Sequence, residues 1–312
     1  MSARASLIAC VSRVDVIAFT TCCSHHHAEE PARCLAAGWI IREAERGTLG
    51  VGPRTLAARD PPKGVITVAM MPAPLKVTIE ASLPELPLAL ADLHRSLEVG
   101  RAVRIERTTP LDNSAAPTWE ALVHGGGFVA TRTRAVYTRA HSLPDYVGPA
   151  MRILLVGLNP SPYAADVGVG FARPGNRFWP AMLAAGMVDH ARDPRRLLVE
   201  RHIGMTDLVK RATARASEVD DVEFREGHDR VTSLVNWLRP TVVCFVGLGG
   251  WRAATDRRAV AGRQPQPMGS AIVYVMPNPS GLNAHATVDS LADHFREVLR
   301  LSQGPSGPSE RG

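Results

Sequence analysis

The chain has 312 residues, with 36 Lys and Arg against 30 Asp and Glu, and a formal net charge of +6. This length can bury one large or two modest cores, and a basic balance favours an anionic partner, nucleic acid first. No apolar run approaches the roughly 18 residues of a membrane span, so we expect no membrane partner. Four of the five cysteines lie in the first 34 residues, which excludes a disulfide scaffold and fits a reducing compartment.

Residues 1 to about 80 show no sustained periodicity. We expect a disordered tail there, or a mis-assigned start ahead of Met70. Cysteine and histidine residues between positions 22 and 34 have the ligand types for zinc, but they lack the paired spacing of structural zinc sites. We therefore predict no metal site in this segment.

Residues 83–147 are predicted to form a small αβ appendage. An apolar stripe predicts a helix over 86–97, and a strand is expected at 101–108. A second helix should begin at Trp119, and alternation over 128–137 predicts one more strand. We interpret the stretch 142–146 as a linker.

From residue 151 onward the pattern is regular. Strands are predicted at 152–157, 241–246 and 271–276, and helices at 176–186, 193–201, 224–238 and 287–301, with a short helix after Gly247. Strands that are apolar on both faces are typical of a parallel sheet covered by helices. The predicted fold class is therefore α/β, a three-layer αβα sandwich with a mostly parallel central sheet over 151–303. A disordered tail is expected at 304–312.

Two asparagine-proline loops follow buried strands of this sheet. The first reads GLNPS at 157–161 and the second MPNPSGLN at 276–283. Because proline ends each strand, the preceding amide is held at the strand's carboxyl end, where open α/β sheets bind ligands. The amide of Asn159 can both donate and accept, so it could align a water molecule. Taken alone, it could equally form an Asx-type turn that only ends the strand.

The segment between these loops contains GVGFARPGNRFW at 168–179. Its glycines permit close approach of a ligand, and Phe171 could offer a ring face to a planar base. An aromatic residue after glycines is nevertheless more often part of a core. Asn176 is predicted to cap the next helix, which Phe178 and Trp179 would anchor in the core.

These segments, together with GMTDLVKRAT at 204–213 and NPSGL at 278–282, resemble the mismatch-specific uracil-DNA glycosylases, the group that includes thymine-DNA glycosylase. The resemblance covers about residues 151–301. It implies a glycosylase that flips uracil out of G·U or related mismatches in double-stranded DNA and leaves an abasic site, with no metal or cofactor. We also expect a monomer in the bacterial cytoplasm, associated with the nucleoid.

By position, the resemblance assigns water alignment to Asn159 and base stacking to Phe171, with Leu282 as the wedge that enters the duplex. The residues expected to bind the base are Leu158, Ala164, Phe171, Asn278 and Ser280. Those expected at the wedge and the opposite strand are Gly281, Leu282, Asn283 and His285.

Four positions depart from the family's pattern. Ala164 stands where some members have Ser near the C5 edge of uracil, so we hypothesise tolerance of 5-substituted uracils. Asn283 and His285 replace an Arg that relatives often have nearby, and they are the candidates for recognising the orphaned guanine. Asp207 stands where one relative has Lys, so no phosphate contact is predicted there.

Two other classes of function were considered. An iron–sulfur uracil glycosylase needs four cysteine ligands, and the domain over 151–303 contains only Cys244, which excludes that class. A non-catalytic nucleotide- or DNA-binding module that keeps the fold remains open from the sequence.

Overall fold

The computed structural model describes residues 40–43, 73–111 and 115–303, and these residues form two five-stranded sheets. In the first sheet, the spatial order is β1-β2-β3-β5-β4, with β2 and β3 parallel and the other neighbours antiparallel. Helices α1 and α2 share its apolar core. The elements are β1 (Ile40–Glu43), β2 (Leu75–Glu80), α1 (Leu86–Ser96), β3 (Ala102–Arg107), α2 (Trp119–Gly125), β4 (Phe128–Ala130) and β5 (Val136–Arg139).

The second sheet has the order β7-β6-β8-β10-β9, and only its short edge strand β9 is antiparallel. Its strands are β6 (Ile153–Gly157), β7 (Ile203–Asp207), β8 (Val242–Val246), β9 (Gly262–Arg263) and β10 (Ile272–Met276). Its helices are α3 (Pro162–Val167), α4 (Phe178–Ala184), α5 (Pro194–Arg201), α6 (Asp221–Leu238), α7 (Leu248–Ala254) and α8 (Val288–Ser302). The prediction of an αβα sandwich with a mostly parallel sheet is confirmed.

The central strands are apolar on both faces, so alternate residues enter two separate cores. In β8, Val243 and Phe245 pack on the side of α6 and α7, whereas Cys244 and Val246 pack on the side of α4 and α8. Burial on both faces requires a helical layer on each side, which is the physical reason for the three layers. Within the described residues, no helix is long and apolar enough to cross a membrane.

Side-chain caps define where the two long helices begin. Asp220 accepts hydrogen bonds from the backbone N–H groups of Val222 and Glu223 at the start of α6, and Thr287 accepts one from Ser290 at the start of α8. These caps satisfy donors that a helix terminus leaves free. The helix predicted at 224–238 therefore begins three residues earlier than its apolar periodicity indicated.

Several predictions for the N-terminal part are wrong. Residues Leu75–Glu80 were expected to lack structure, yet they form β2, which pairs on both sides. The strand predicted over 128–137 is a hairpin of β4 and β5, because the chain turns back where Ala135 adopts a φ of 58°. Beyond the N-terminal part, helix α3 forms between the strand predicted at 152–157 and the helix predicted at 176–186, where no element was predicted. The predictions for 1–39, 44–72 and 304–312 lie outside the described residues.

The stretch interpreted as a linker is buried. Residues 142–148 are enclosed between the two sheets, and Tyr146 exchanges two backbone hydrogen bonds of 2.9 Å with Met205 at the outer edge of β7. Leu88 and Ala91 of α1 also enter the core that α6 and α7 cover. The αβ appendage is thus packed against the sandwich. The segment 142–148, which connects the two, covers the edge strand β7.

Asp145, within this buried segment, is the centre of an ionic cluster. Its carboxylate accepts hydrogen bonds from Lys210 Nζ at 2.7 Å, from Arg230 Nη1 at 2.6 Å and from the Thr206 hydroxyl at 2.5 Å. The side chains of Asp145 and Lys210 are each 3% exposed. The two cations hold the pKa of Asp145 below its usual value despite burial, which acts in the opposite direction.

Removing the Asp145 carboxylate should be strongly destabilising. Asp145→Ala leaves two buried cations without their anion, which typically costs about 3–5 kcal/mol. Urea unfolding of the full chain measures this free energy. The control is Asp166→Ala, because Asp166 is 67% exposed and its one ion pair among the described residues is with His141, so its loss should cost less than about 1 kcal/mol. Equal effects of the two substitutions would contradict a central role for Asp145.

Candidate active site

The carboxyl ends of the parallel strands meet at one edge of the sheet, and the loop after β6 is fixed there by the loop after β7. Leu208 and Val209 donate backbone hydrogen bonds of 2.9 Å to the carbonyls of Gly157 and Leu158, and Thr213 donates one of 3.1 Å to Pro160. The two loops therefore behave as one unit. Their common position follows from the register that pairs Gly157 with Asp207.

The side-chain amide of Asn159 has a defined orientation. Its Nδ2 donates to Thr213 Oγ1 at 2.8 Å and to the Arg211 carbonyl at 3.1 Å. The Thr213 hydroxyl donates its own proton to the Arg215 carbonyl at 2.7 Å, so it can only accept from Asn159. The Pro160 carbonyl is a third acceptor at 3.2 Å, so the amide nitrogen must face this side, and among the described residues Oδ1 accepts no hydrogen bond. Asn159 does not form the Asx-type turn that the sequence left open.

Asn278, in the second asparagine-proline loop, does form such a turn. Its Oδ1 accepts a hydrogen bond of 2.9 Å from the backbone N–H of Ser280. The same dipeptide therefore has two roles in this fold. In the second loop the amide oxygen shapes the backbone, and in the first it stays available to a ligand.

A cavity of about 150 Å³ opens at this edge of the sheet. A volume on this scale holds a six-membered ring, as an engineered cavity of similar size in another protein binds benzene. The predicted catalytic residue and all of the predicted base-binding residues line this cavity together. They are Leu158, Asn159, Ala164, Phe171, Asn278 and Ser280. The exposed Arg173 also lines it and adds positive charge at its mouth.

Phe171 presents its ring to the cavity in a constrained conformation. The ring stacks on Phe178, with centroids 4.0 Å apart and an angle of 10° between planes. Its φ of 58° lies in the left-handed region, which is uncommon for a non-glycine residue and costs about 1–3 kcal/mol. Trp179 Nε1 donates to the Gly170 carbonyl at 2.9 Å and so restrains the preceding residue. Phe178 covers one face of the Phe171 ring, which leaves only the other face for a base.

Leu158 lines the cavity and also reaches the core. Its side chain packs beside Gly247 and against Gly250 of α7. The contact with Gly250 is so close that a Cβ atom on this glycine would lie 2.5 Å from Leu158 Cδ2. Leu158 therefore anchors the loop after β6 in the core. Ala164 is buried in the first turn of α3, and its methyl group forms part of the cavity wall.

Asp207 is a cavity residue that the sequence analysis missed. It ends β7, is 8% exposed, and lies beside Phe171 and Asn159 in the cavity lining. A Cβ atom on Gly157 would collide with its Oδ1 and would lie 3.1 Å from Phe171 Cζ, so only glycine leaves room for this carboxyl group. The rule that identified Asn159, a polar residue at the carboxyl end of a parallel strand, would have found Asp207 had β7 been predicted.

Burial raises the pKa of Asp207 to about 6, with Asp145 contributing in the same direction. Lys210 and Arg230 oppose this shift, but the carboxylate that each of them bonds is that of Asp145. Among the described residues, the Asp207 side chain accepts no hydrogen bond, and only its backbone carbonyl is bonded, by Arg230 at 2.6 Å. The cavity therefore contains a carboxyl group that titrates close to neutral pH.

The predicted wedge residues lie outside the cavity, on an exposed loop. Leu282 is 88% exposed, the highest value among the large apolar side chains described. Arg177 supports this loop by donating to the carbonyls of Ser280 at 3.3 Å and Asn283 at 2.9 Å. Gly281 lies against Gly175, where a Cβ atom would be 2.8 Å from the carbonyl oxygen. An apolar side chain is thus held in solvent by a rigid loop beside the cavity.

Asn283 and His285 differ in their availability to a partner. The Asn283 side chain donates to the Asn278 carbonyl at 2.9 Å and accepts from the backbone N–H of His285 at 3.3 Å. Both ends of its amide are therefore engaged within the loop. His285 is exposed, and no described residue bonds its side chain, so it is available for the predicted opposite-strand contact.

No group of three or more metal-ligating side chains occurs in the ranges that the structure describes. A mostly parallel αβα sandwich thus has, at one edge of its sheet, a base-sized cavity, an oriented amide and an exposed apolar side chain. The family model of the Uracil DNA glycosylase superfamily matches residues 144–301, just over half of the chain, and the chain belongs to this superfamily. Membership supports a hydrolase function on uracil-containing DNA.

The chain is also similar to the solution NMR structure of a candidate uracil DNA glycosylase from Methanosarcina acetivorans. The two are 22% identical, with a TM-score of 0.37, and the match covers 51% of this chain and 97% of that one.

The titration of Asp207 should be visible in the stability of the protein. Because folding raises its pKa from 3.8 to about 6, the folded state loses stability as the pH rises through this interval and a buried charge forms. Asp207→Asn removes this cost and should stabilise the chain by up to about 3 kcal/mol at pH 8, with the gain shrinking toward zero near pH 4. Thermal unfolding across this pH range measures the difference. Asp229→Asn, at a side chain that is 89% exposed, is the control and should show no such trend.

Proposed function

We propose that the protein extrudes uracil and related bases from G·U mismatches in double-stranded DNA and hydrolyses the N-glycosidic bond, leaving an abasic site. The observation that carries this proposal is the amide of Asn159, whose nitrogen is held by Thr213 and Arg211 while its oxygen is free in a base-sized cavity. A free, oriented acceptor is what positions a water molecule for attack on the sugar.

The base must leave the helical stack before its glycosidic bond can be reached, at a cost of a few kcal/mol that is smaller for a mispaired base. Leu282 is suited to offset part of this cost, because an apolar side chain inserted between bases replaces some of the lost stacking. Its high exposure and the support from Arg177 fit this role. The preference for a mispaired base follows from the lower opening cost, and the exposed His285 is placed to contact the orphaned guanine.

Within the cavity, the extruded base would stack on the uncovered face of Phe171. Asn159 would then hold water through Oδ1, with the water oxygen directed at the sugar carbon as the base departs. A neutral amide is a poor base, so it contributes orientation and not proton removal. We therefore expect the enzyme to be slow, with the departure of the base carrying most of the barrier.

The proposal is tested with a duplex containing one G·U pair under single-turnover conditions, with strand cleavage by alkali reporting abasic sites. Wild type should release uracil, and Asn159→Ala should be slower by at least about a hundredfold, the effect of losing one preorganised polar group. Asn236→Ala, an exposed asparagine of α6 outside the cavity, should retain the wild-type rate. Equal, background rates for wild type and Asn159→Ala would favour a non-catalytic DNA-binding module.

Ala164 is proposed to set the tolerance for substituents at C5. Its methyl group leaves an apolar wall where a hydroxyl would occupy space and attract water. Ala164→Ser should therefore lower excision of thymine from G·T relative to uracil from G·U by about tenfold, the scale of one methyl group in a pocket. The ratio of the two single-turnover rates is the measurement. An unchanged ratio would show that another residue determines the preference.

A further inference from the structure

Asp207 is the one described acidic side chain in the lining of the candidate active-site cavity. It is buried beside Phe171, at the inner end of the space in which an extruded base would lie. A polar side chain in the interior normally has a hydrogen-bond partner, but the carboxyl oxygens of Asp207 are not fully buried and stay accessible from the cavity. Among the described residues, neither carboxyl oxygen of Asp207 has such a partner. A carboxyl group without a partner in the wall of a cavity is available to form a hydrogen bond with a ligand there.

The charged groups around Asp207 do not neutralise it directly. Lys210 in the following loop and Arg230 on α6 bond the carboxylate of Asp145, with donor–acceptor distances of 2.7 Å and 2.6 Å. Asp145 itself repels a second negative charge. The other charged residue in the lining is Arg173, which is exposed at the mouth. β6 contributes no charged side chain at this point, because Gly157 is the residue that faces Asp207.

We propose that Asp207 contacts the extruded base as a neutral carboxylic acid and donates a hydrogen bond to one of its carbonyl oxygens. The inference rests on the glycosylase function proposed above and adds to it a second base-contacting group. It makes the protonation state of one buried carboxyl group a condition for excision.

The chemistry of the step requires the neutral form. The bond between the sugar carbon and the base nitrogen breaks, and its electron pair leaves with the base, whose carbonyl oxygens become negative. The water oxygen forms the new bond to the sugar carbon and releases a proton to solvent. An acid that donates to a carbonyl oxygen stabilises this developing charge, and Asp207 keeps its proton in the hydrogen bond. A carboxylate at the same place would instead repel the departing anion.

The pH dependence follows from these charges. Burial raises the pKa of Asp207 to about 6, and the negative charge that builds up on the departing base raises it further. Below this pKa the group is a donor, and above it the group is an anion. The excision rate should therefore fall as the pH rises through the pKa, by up to tenfold for each pH unit on the falling limb.

The experiment measures single-turnover excision from a G·U duplex between pH 5 and pH 8.5 for wild type, Asp207→Asn and Asp207→Ala. The wild-type rate should fall with increasing pH. The amide of Asp207→Asn donates at every pH, so its rate should be flat and at pH 8 should exceed that of wild type by about tenfold or more. Asp207→Ala has no donor and should be slow throughout.

Each of the following results would overturn the inference. A wild-type rate that rises with pH would make Asp207 a base, and a falling limb that persists in Asp207→Asn would belong to another group. Loss of activity in Asp207→Asn at every pH would show that the amide cannot replace the acid. If wild type releases uracil in an Asn159-dependent manner but shows no pH dependence, only the role of Asp207 fails. If wild type releases no uracil at any pH, the proposed function fails together with this inference.

Discussion

The carboxylate of Asp145 is the interaction on which the rest of this structure depends. It holds Lys210 from the loop after β7, Arg230 from α6 and Thr206 from β7 in one buried cluster. A buried ion pair is not itself strong evidence for stability, because desolvation offsets much of the attraction. Its value here is positional, since it fixes the loop over 208–213 that in turn binds the loop containing Asn159.

The same cluster determines the electrostatics of the cavity. Two cations lie close to Asp207, and in isolation either could stabilise it as an anion. Because both donate to Asp145, Asp207 is left with burial as the dominant influence, and its pKa rises. Asp145 is fully paired and Asp207 is not, although the two carboxyl groups lie close together in the same interior. Their surroundings therefore shift their pKa values in opposite directions. Differences of this kind are typical of functional sites.

Much of the sandwich was predictable because its central strands β6, β8 and β10 are continuous apolar runs followed by proline or glycine, whereas β7 (Ile203–Asp207) contains Gly, Thr and Asp and forms no such run. The same patterns predicted that Asn159 and Asn278 lie at strand ends on one edge of the sheet, whereas Phe171 was assigned by the resemblance. Prediction failed where the signal was short or local. β7 ends at Asp207 after only five residues, and it is paired on one side by a neighbouring strand and on the other by a single bridge at Tyr146. The stretch around Asp145 was interpreted as a linker because its polar and proline residues are common in loops.

The sequence by itself determined the layers, the order of the central elements and the position of two asparagine-proline loops at strand ends, because hydrophobic periodicity and proline geometry are local properties of the chain. Only the tertiary structure decided that Asn159 has a free amide oxygen while Asn278 closes a turn. It also decided which of two buried carboxylates receives the available cations. Hydrogen-bond partners such as Thr213, and ionic partners such as Lys210 and Arg230, are brought together by folding over separations of 54, 65 and 85 residues. No local pattern in the chain records such pairings.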